Sequence, residues 1–365
     1  MSNQYLRKAS LLVFGNPPTP GGSGIPVPAA PAASAGPNGV TRITIPLAQP
    51  AGSQSVPGIE IDDLRIQFNI MAMDIDSPPT AIIRVINLSD ATAKRIQKEF
   101  QGVVLQAGYE NGNFGVIFQG SIIRVKKGKI DQLNSFVDIF ASNLDAIYNF
   151  GVVNKTLKAG SSLNDRLNAI AQSVNSSPVA QGQAGALQQG LVYGNIPSSF
   201  GTGGVLPRGK VLFGMARDHL GNITDSQGCT WQVGPDGKIN IIPLTGYLDG
   251  DAVVITSQTG MIGVPEATQQ GIEVRCLLNP LIKTGTRIQL DNKSITTTQN
   301  TQASGFPSYG DFAFFASIND DGFYRSIVVE HSGDSRGSGN DWLTRITALN
   351  VDPSAAPDNS VAAYG

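Results

Sequence analysis

The sequence has few of the residues from which metal centres, catalytic clusters and nucleic-acid-binding surfaces are built. Its 365 residues include two histidines and two cysteines, charged residues make up 15% of the chain, and aromatic residues make up 7%. The 26 basic and 28 acidic side chains give a formal net charge of −2. A protein that holds nucleic acid needs a cationic surface, so the composition argues against nucleic acid as a bound ligand.

Long hydrophobic runs are absent from the N-terminal region. Arg7 and Lys8 precede an apolar run that covers only residues 11–14. This run is shorter than the hydrophobic region of a secretory signal and far shorter than a membrane span. We therefore predict that the chain is made in the cytoplasm and does not bind a membrane by itself.

The two cysteines, Cys229 and Cys276, lie far apart in alternating apolar patterns that are typical of strands. A buried free thiol is the common state of cysteine in such a pattern. The sequence does not decide whether the two thiols pair, and a disulfide between them stays open.

Glycine (42 residues) and proline (22 residues) are abundant, as in proteins that join many short strands by turns. We predict a mainly β chain with α+β parts, in which two small antiparallel β-barrels flank a small α/β domain. The predicted first barrel covers residues 1–150, the α/β domain 151–247, the second barrel 248–352 and a flexible tail 353–365.

The first predicted barrel contains strands, one helix and an arm. Residues 17–39 are rich in proline, glycine, alanine and serine, which predicts an extended arm. Residues 64–71 and 80–87 alternate around a Pro-Pro turn and indicate a hairpin. Ser89 is placed to cap a short helix. Further strands are predicted at 42–47, 103–109, 114–125 and 134–141, with a turn at 126–129.

The α/β domain is predicted from two amphipathic helices and a hairpin. Ser162 starts the first helix, and residues 210–220 are the candidate for the second. The apolar residues at helical spacing in the first helix are Leu163, Leu167, Ile170 and Val174. Residues 230–233 and 238–242 flank a Gly-Pro-Asp-Gly turn and form the hairpin. The Ser/Gly/Gln-rich residues 175–207 are predicted to be flexible.

The second barrel has the clearest strand patterns. Strands are predicted at 272–278 and 288–290, at 312–318 and 323–331 around an Asn-Asp-Asp-Gly turn, and at 342–349. In the fourth of these strands, one face is predicted to carry Tyr324, Ser326, Val328 and Glu330, and the other Phe323, Arg325, Ile327 and Val329.

The segment GVLPRGK at residues 204–210 has the spacing of a phosphate-binding loop. It is followed by Val211 where magnesium binding needs Ser or Thr, Pro207 removes a loop N–H, and no strand pattern precedes it. The sequence therefore argues against a nucleotide site at this segment.

Histidines and acidic pairs give no catalytic constellation. A zinc site at His219 or His331 would need ligands from elsewhere, and we predict that His331 is hydrogen-bonded at a barrel rim and stacked on Trp342. Asp320 and Asp321 are typical of a tight turn, and Ser332 is too close to His331 in sequence to act as its nucleophile. We predict no catalytic residue, no cofactor, no metal and a protein that acts through its surfaces.

Three motifs in order, followed by a late tryptophan, carry a resemblance to a known family. They are TG-x-IG-x-P from Thr259, GI-x-V-x-C-LLNP from Gly271, and a segment from Gly322 that ends in H-x-GD at Asp334, followed by Trp342. In this order they resemble the baseplate hub proteins of contractile-tailed bacteriophages and related prophage particles. The resemblance covers residues 59–349.

The resemblance implies a homotrimer in which each chain contributes two similar tube-domain-like barrels to a pseudo-sixfold ring. Such a ring would join the hexameric tail tube, or a tube-initiator protein, to the trimeric spike in the virion baseplate. Tape-measure and wedge proteins are further implied partners, and DNA would pass only transiently through the channel. The alternatives are a distal tail or tube-forming protein of the same particle with six copies per ring, a carbohydrate-binding barrel module, and an enzyme of unknown type.

Overall fold

The structure is a computed structural model of the chain. It describes residues 6–15, 40–46, 55–98, 100–110, 112–177, 191–198, 200–201, 204–268, 271–290, 296–297, 322–337 and 341–351. The arm predicted at 17–39, the strand at 312–318, the Asp320 and Asp321 pair, the tail at 353–365 and much of the segment at 175–207 lie outside the described residues.

The described residues form nineteen strands and four helices. The first part contains β1 Arg7–Gly15, β2 Val40–Pro46, β3 Ser55–Ile61, β4 Ile66–Met73, β5 Thr80–Ile86, α1 Asp90–Lys98, β6 Phe100–Tyr109, β7 Phe114–Lys129, β8 Ser135–Ser142 and α2 Asp145–Phe150. The middle part contains β9 Val152–Leu157, α3 Leu163–Asn175, β10 Lys210–Met215, α4 Ala216–Asp225, β11 Cys229–Val233 and β12 Ile239–Pro243. The last part contains β13 Val253–Ile255, β14 Glu266–Thr268, β15 Gly271–Leu277, β16 Arg287–Leu290, β17 Thr296–Thr297, β18 Phe323–Asp334 and β19 Trp342–Leu349.

Fifteen of the strands form one sheet. Its order is β17-β14-β15-β19-β18-β4-β5-β8-β7-β6-β1-β3-β2, with β16 attached to β18 and β13 attached to β16. The first and last parts of the chain meet where β4 pairs antiparallel with β18, from Met73 opposite Val328 to Gln67 opposite Asp334. The predicted mainly β class with α+β parts is confirmed. The strands of the two predicted barrels are continuous in one sheet, and within the described ranges no barrel closes.

The alternation predicted in the second barrel is confirmed in β15. Ile272, Val274 and Cys276 are at most 4% exposed, as is Leu278 just beyond the strand, whereas Arg275 faces solvent. Apolar residues at every second position bury one face of a strand. The opposite, polar face is therefore left available at the surface of the sheet.

The alternation predicted for residues 323–331 is interrupted by a β-bulge. In the pairing of β18 with β19, Ser326 lies opposite Ala348 and Val328 opposite Thr347, so Ile327 is an extra residue. An extra residue shifts every later side chain to the other face. Val329 therefore joins Tyr324 in the core, and the prediction that these two side chains lie on opposite faces is wrong.

The helix predicted at 210–220 is only partly right. Residues 210–215 form β10, which pairs antiparallel with β9, and the helix α4 begins at Ala216. Leu212 is buried between the exposed Val211 and Phe213, which is strand periodicity. β-Branched and aromatic residues favour a strand. Each residue of β10 pairs with one that lies 53 to 63 positions earlier in the sequence, so the partner strand was not visible in the local pattern.

The turn predicted at 126–129 is also displaced. β7 continues to Lys129, and its pairing with β8 extends to Lys129 opposite Ser135. The turn lies at 130–134 instead, where the Asp131 carboxylate accepts hydrogen bonds from the backbone N–H groups of Leu133 (2.8 Å) and Asn134 (2.6 Å). The result is a long hairpin of β7 and β8 with a defined tip.

The buried apolar side chains form three clusters. The first lies in residues 9–141 and also contains Leu278 and Trp342. The second lies in residues 144–241, where α3 and α4 pack with β9 and β11. The third lies in residues 255–348. Trp342 comes from the last part of the chain but is buried in the first cluster, so the first and last parts share packing as well as strand pairing.

The N-terminus of α3 is closed by a capping box. The Ser162 hydroxyl accepts from the Asp165 N–H at 3.2 Å, and the Asp165 carboxylate accepts from the Ser162 N–H at 2.8 Å. We expect Ser162→Ala to lower the free energy of unfolding by about 1 kcal/mol, measured by urea denaturation. Ser162→Thr keeps the hydroxyl and is the matched control; equal losses in both variants would show that the cap does not stabilise the helix.

Candidate functional site

The phosphate-loop spacing at 204–210 does not form a phosphate cradle. Lys210 begins a strand, not the helix whose N-terminus such a loop needs. Within the segment, the N–H of Leu206 donates to the Ser161 carbonyl (2.9 Å), and the N–H of Gly160 donates back to the Leu206 carbonyl (2.7 Å). These two bonds anchor the segment to the start of α3 and give it a structural role.

The cysteines and histidines are not brought together. Cys229 lies in the second apolar cluster and Cys276 in the third. Both thiols are buried and free, and burial raises the pKa of Cys276 to about 12, which keeps this thiol protonated and unreactive at neutral pH. In the described part of the chain, no three His, Cys, Asp or Glu side chains cluster closely enough to hold a metal ion.

His331 is a core residue of the sheet and not a residue of its rim. Its Nδ1 lies 2.9 Å from the Thr344 hydroxyl, which already accepts from the Asn279 N–H at 3.0 Å. The Ile282 backbone also hydrogen-bonds to the ring. Burial disfavours the charged imidazolium, so the ring is neutral at neutral pH. The predicted hydrogen bonding is confirmed, but the edge-to-face partner of Trp342 is Phe68, at 5.2 Å between ring centroids.

The buried imidazole makes stability depend on pH. Burial lowers the pKa of His331 to about 4, against about 6.5 in the unfolded chain. Because the folded pKa is depressed, the unfolded state binds a proton first as the pH falls, so this stability is complete above pH 6.5 and is lost between about 6.5 and 4. We expect a loss of about 3 kcal/mol over this range, measured by urea denaturation at several pH values.

Two glutamine variants test this pH dependence. His331→Gln carries no titratable group and is expected to flatten the loss between pH 6.5 and 4. His219→Gln removes the other histidine and is the matched control, with the slope expected to remain. An unchanged slope in the His331 variant would mean that other groups cause the acid sensitivity.

The motif that ends in Gly333 and Asp334 is structural. A Cβ on Gly333 would lie 2.5 Å from the Phe68 ring and 2.6 Å from the Trp342 ring, so only glycine fits here. Burial acts to raise the pKa of Asp334, but hydrogen bonds from Arg65 and Gln67 outweigh it and hold the pKa below its usual value. The Arg65 Nη2 lies 2.6 Å from the Asp334 carboxylate. The motif thus fastens the end of β18 to the start of β4.

A buried ion pair lies where three parts of the chain meet. Arg325 Nη2 lies 2.5 Å from Asp74 Oδ2, and the two side chains are 3% and 1% exposed. Arg325 Nη1 also donates to the carbonyl groups of Pro243 (2.7 Å), Leu244 and Gly246. Burial raises the pKa of Asp74, and the charge and hydrogen bond of Arg325 oppose the rise. The pair joins the end of β4, the middle part of the chain and β18.

The bulge in β18 and a second carboxylate belong to this junction. The Asp74 N–H donates to the carbonyl of Ile327, the extra residue of the bulge, at 2.7 Å. Burial and the negative charge of Asp225 raise the pKa of the nearby Asp76 to about 6. A carboxyl with this pKa could act in acid/base chemistry, but the groups that act on it are the Asp225 and Asp74 carboxylates and hydrogen bonds from Trp231, with no histidine or thiol among them. We interpret the junction as structural.

The solvent face of the sheet is the candidate interaction surface. Glu330 accepts from Asn69 (2.6 Å) and from Arg345 (2.9 Å) across three neighbouring strands. Arg84 makes a two-fold contact with Asp138 (2.6 and 2.9 Å) and lies 4.5 Å from the Phe136 ring centroid. Exposed apolar side chains interrupt these polar contacts: Met71 (40%), Ile82 (49%) and Ile123 (57%). Apolar side chains on a polar sheet face mark a surface that another protein can cover.

A cleft of about 320 Å³ opens beside this surface. It is lined by Met71, Met73, Ile123 and Tyr148, with Asp145 as its single carboxylate. Its hydroxyl groups, from Ser77, Thr80 and Ser142, have no histidine or lysine beside them in the lining that would activate them, so the cleft suits packing rather than catalysis. Sequence reasoning missed these outward apolar residues because Ile82 and Ile123 fit the apolar pattern of their strands and only the strand pairing shows which face they occupy.

The two tryptophans do not form an exposed platform. Trp231 is 2% exposed and Trp342 is 1% exposed, as the alternating patterns around them predict. A carbohydrate-binding module stacks sugars on exposed aromatic rings, so this burial does not favour the carbohydrate-binding alternative. Of the helices that the structure describes, none is long and apolar enough to cross a membrane.

Comparison with known proteins finds similar folds only among solved structures. No family model matches the chain, and no curated protein matches it. The prophage MuSo2 43 kDa tail protein of Shewanella oneidensis is similar at 7% identity and a TM-score of 0.49, over 80% of this chain and 94% of that one. A tail protein of Neisseria meningitidis is similar at 8% identity and a TM-score of 0.45, over 79% and 96%.

A third similar structure comes from a secretion system. It is an E. coli component of the type VI secretion system that exhibits structural similarity to T4 bacteriophage tail proteins, at 9% identity and a TM-score of 0.44, over 79% of this chain and 73% of that one. These three solved structures are thus two tail proteins and one tail-like protein, the class that the sequence motifs indicate. With identities below 10% and TM-scores below 0.5, these similarities carry no argument about function.

Proposed function

We propose that the chain is a structural subunit of a contractile phage tail, the baseplate hub, and that it assembles as a homotrimer. Three chains would close a pseudo-sixfold ring that joins the hexameric tail tube to the trimeric spike and leaves a channel for the genome. The proposed partners are the tube or tube-initiator protein and the spike, with tape-measure and wedge proteins as further contacts. The proposed location is the virion baseplate, after synthesis in the host cytoplasm.

The pairing of β4 with β18 is the observation that carries this proposal. It places two groups of mostly antiparallel strands side by side within one chain. Three copies would present six such groups, which supports contact with a sixfold tube on one side and a threefold spike on the other. One chain with two groups of strands is a direct way to match two symmetries.

The predicted division at residues 150, 247 and 352 is part of the proposal. The three buried clusters, in residues 9–141, 144–241 and 255–348, support it. The middle part would then be a small α/β unit carried on the sheet by the junction of Asp74 and Arg325. We also propose a non-enzymatic role, which the structural roles found for His331, Cys276 and the 204–210 segment support.

The solvent-side residues of β4 and β15 are proposed to lie near the ring interfaces. The channel is proposed to be neutral or acidic, so that DNA passes through it without being held.

Charge reversal at Glu273, Glu273→Arg, is expected to reduce the fraction of trimer seen by native mass spectrometry of the purified chain. Reversal of an exposed lysine on the β9–β10 ribbon, Lys155→Glu, is the control and should leave that fraction unchanged. A trimer fraction untouched by reversal at both Glu273 and Arg275 would contradict this placement.

A further inference from the structure

The tip of the β7–β8 hairpin is apolar and held in a fixed conformation. Leu133 is 92% exposed and Ile130 is 52% exposed. The Asp131 carboxylate, which accepts from the N–H groups of Leu133 and Asn134 and from the Asn134 amide at 2.8 Å, closes the turn between them. Two large apolar side chains exposed on an ordered turn are removed from water only when a partner protein covers them.

Cations follow the apolar tip along β7. Residues 111–130 contain four cations and no carboxylate, and Lys126 and Lys129 are exposed near the turn. Lys127 is already paired with Asp90 of α1, at 2.5 Å. We call Lys126, Lys129, Ile130 and Leu133 the hairpin tip. Its partner must combine negative charge with an apolar contact.

A surface with this chemistry lies at the other end of the same chain. Glu266 of β14 is directly opposite Glu273 of β15, and neither forms a salt bridge with any described residue. Like charges directly opposite on paired strands destabilise a sheet. Val264, just before β14, is 58% exposed. We call Glu266, Glu273 and Val264 the glutamate edge.

The charge pattern of the sequence extends this complementarity. Residues 239–274 contain four carboxylates and no cation, which mirrors the four cations and no carboxylate of residues 111–130. An anionic edge that costs stability in the isolated chain is relieved by a cationic partner. Such a local conflict is expected where a protein binds a partner.

We propose that the hairpin tip of one copy of this chain docks on the glutamate edge of the next copy. The inference rests on the ring of the proposed function and names its contact. A second copy matches both features, because Lys126 and Lys129, which lie on opposite faces of the hairpin, reach Glu266 and Glu273 from its two sides while Leu133 and Val264 leave water together. Nucleic acid would satisfy the lysines only and would leave Leu133 exposed.

The contact joins two different surfaces, so it is heterologous. Such contacts close into a ring when the rotation between copies fits and otherwise grow into filaments. Because the lysines and Glu266 are exposed and Glu273 is half-buried, salt screens their attraction. Assembly is therefore expected to weaken between about 0.05 M and about 0.5 M salt.

Charge reversal on each side tests the contact. The hairpin variant is Lys126→Glu with Lys129→Glu, and Lys127 is kept because it pairs with Asp90. The edge variant is Glu266→Lys with Glu273→Lys. Each is expected to raise the concentration for half-assembly of the purified chain about a hundredfold, measured by sedimentation velocity. The four substitutions together restore opposite charges across the contact and are expected to restore assembly to within about tenfold of the wild type.

Controls separate this inference from the ring itself. Lys155→Glu with Lys210→Glu makes the same charge change on the exposed β9–β10 ribbon and is expected to leave assembly unchanged. Thermal unfolding checks that each variant folds. If the wild-type chain and both reversal variants all form the ring, this contact is overturned and the ring proposal still stands. A wild-type chain that stays monomeric at every concentration would overturn both. The second copy is overturned as the partner if the fourfold variant does not assemble. It is also overturned if the wild-type chain binds duplex DNA and the hairpin variant does not.

Discussion

Replacing Arg325 by methionine is expected to lower the free energy of unfolding by about 3–5 kcal/mol. The substitution leaves the Asp74 carboxylate in a site where it is 1% exposed, and it removes the donors to the Pro243, Leu244 and Gly246 carbonyl groups. An unpaired buried charge and the hydrogen bonds lost at these carbonyl groups, of which only Pro243 keeps a described donor in the Gly246 N–H, cost more than the volume change of the side chain. Urea denaturation followed by circular dichroism measures the loss.

Two further variants separate burial from charge. Arg345→Met breaks the Arg345–Glu330 pair, whose side chains are 49% and 22% exposed, and is expected to cost less than about 1 kcal/mol. Asp74→Leu combined with Arg325→Met removes both buried charges and is expected to recover much of the loss. Equal costs for the Arg325 and Arg345 variants would show that the buried junction does not fasten the middle part to the sheet.

Replacing Trp342 by alanine is expected to cost about 3–5 kcal/mol. The indole is 1% exposed, lies edge-to-face with Phe68, and packs against Gly333. It enters the first apolar cluster from β19, so its loss weakens the contact between the first and last parts of the chain. Urea denaturation followed by the fluorescence of the remaining Trp231 measures the change.

Trp342→Phe is the matched control. The indole Nε1 has no hydrogen-bond partner in the described structure, so phenylalanine loses volume but no hydrogen bond. We expect its cost to be less than half that of the alanine variant. If the alanine variant unfolds at nearly the wild-type urea concentration, Trp342 does not hold the two parts of the chain together.

Local patterns in the sequence were sufficient for many of the elements. The alternation of Ile272, Val274 and Cys276 predicts β15, the spacing of Leu163 to Val174 predicts α3, and Ser162 predicts its cap. In each case the signal and the structure depend on residues only a few positions apart. The bulge at Ile327 was missed because a period of two continues through it without a break in apolar character.

Contacts between distant residues had no local signal. β4 and β18 pair over more than 250 positions of sequence, which is why two separate barrels were predicted where one continuous sheet forms. In the sequence, nothing distinguishes Asp74 or Arg325 from a charged residue at the surface, and only the structure shows that they form a buried pair. The opposition of Glu266 and Glu273 likewise depends on register, which the composition of neither strand fixes.

A reconstruction of the assembled tail, with the copies of this chain counted, tests the central claim most directly. Our account predicts three copies in one ring, with the β4 and β18 strands of each chain paired and two groups of strands per chain facing the tube. Six copies per ring, or a single copy that contacts no other copy of the chain, would contradict it.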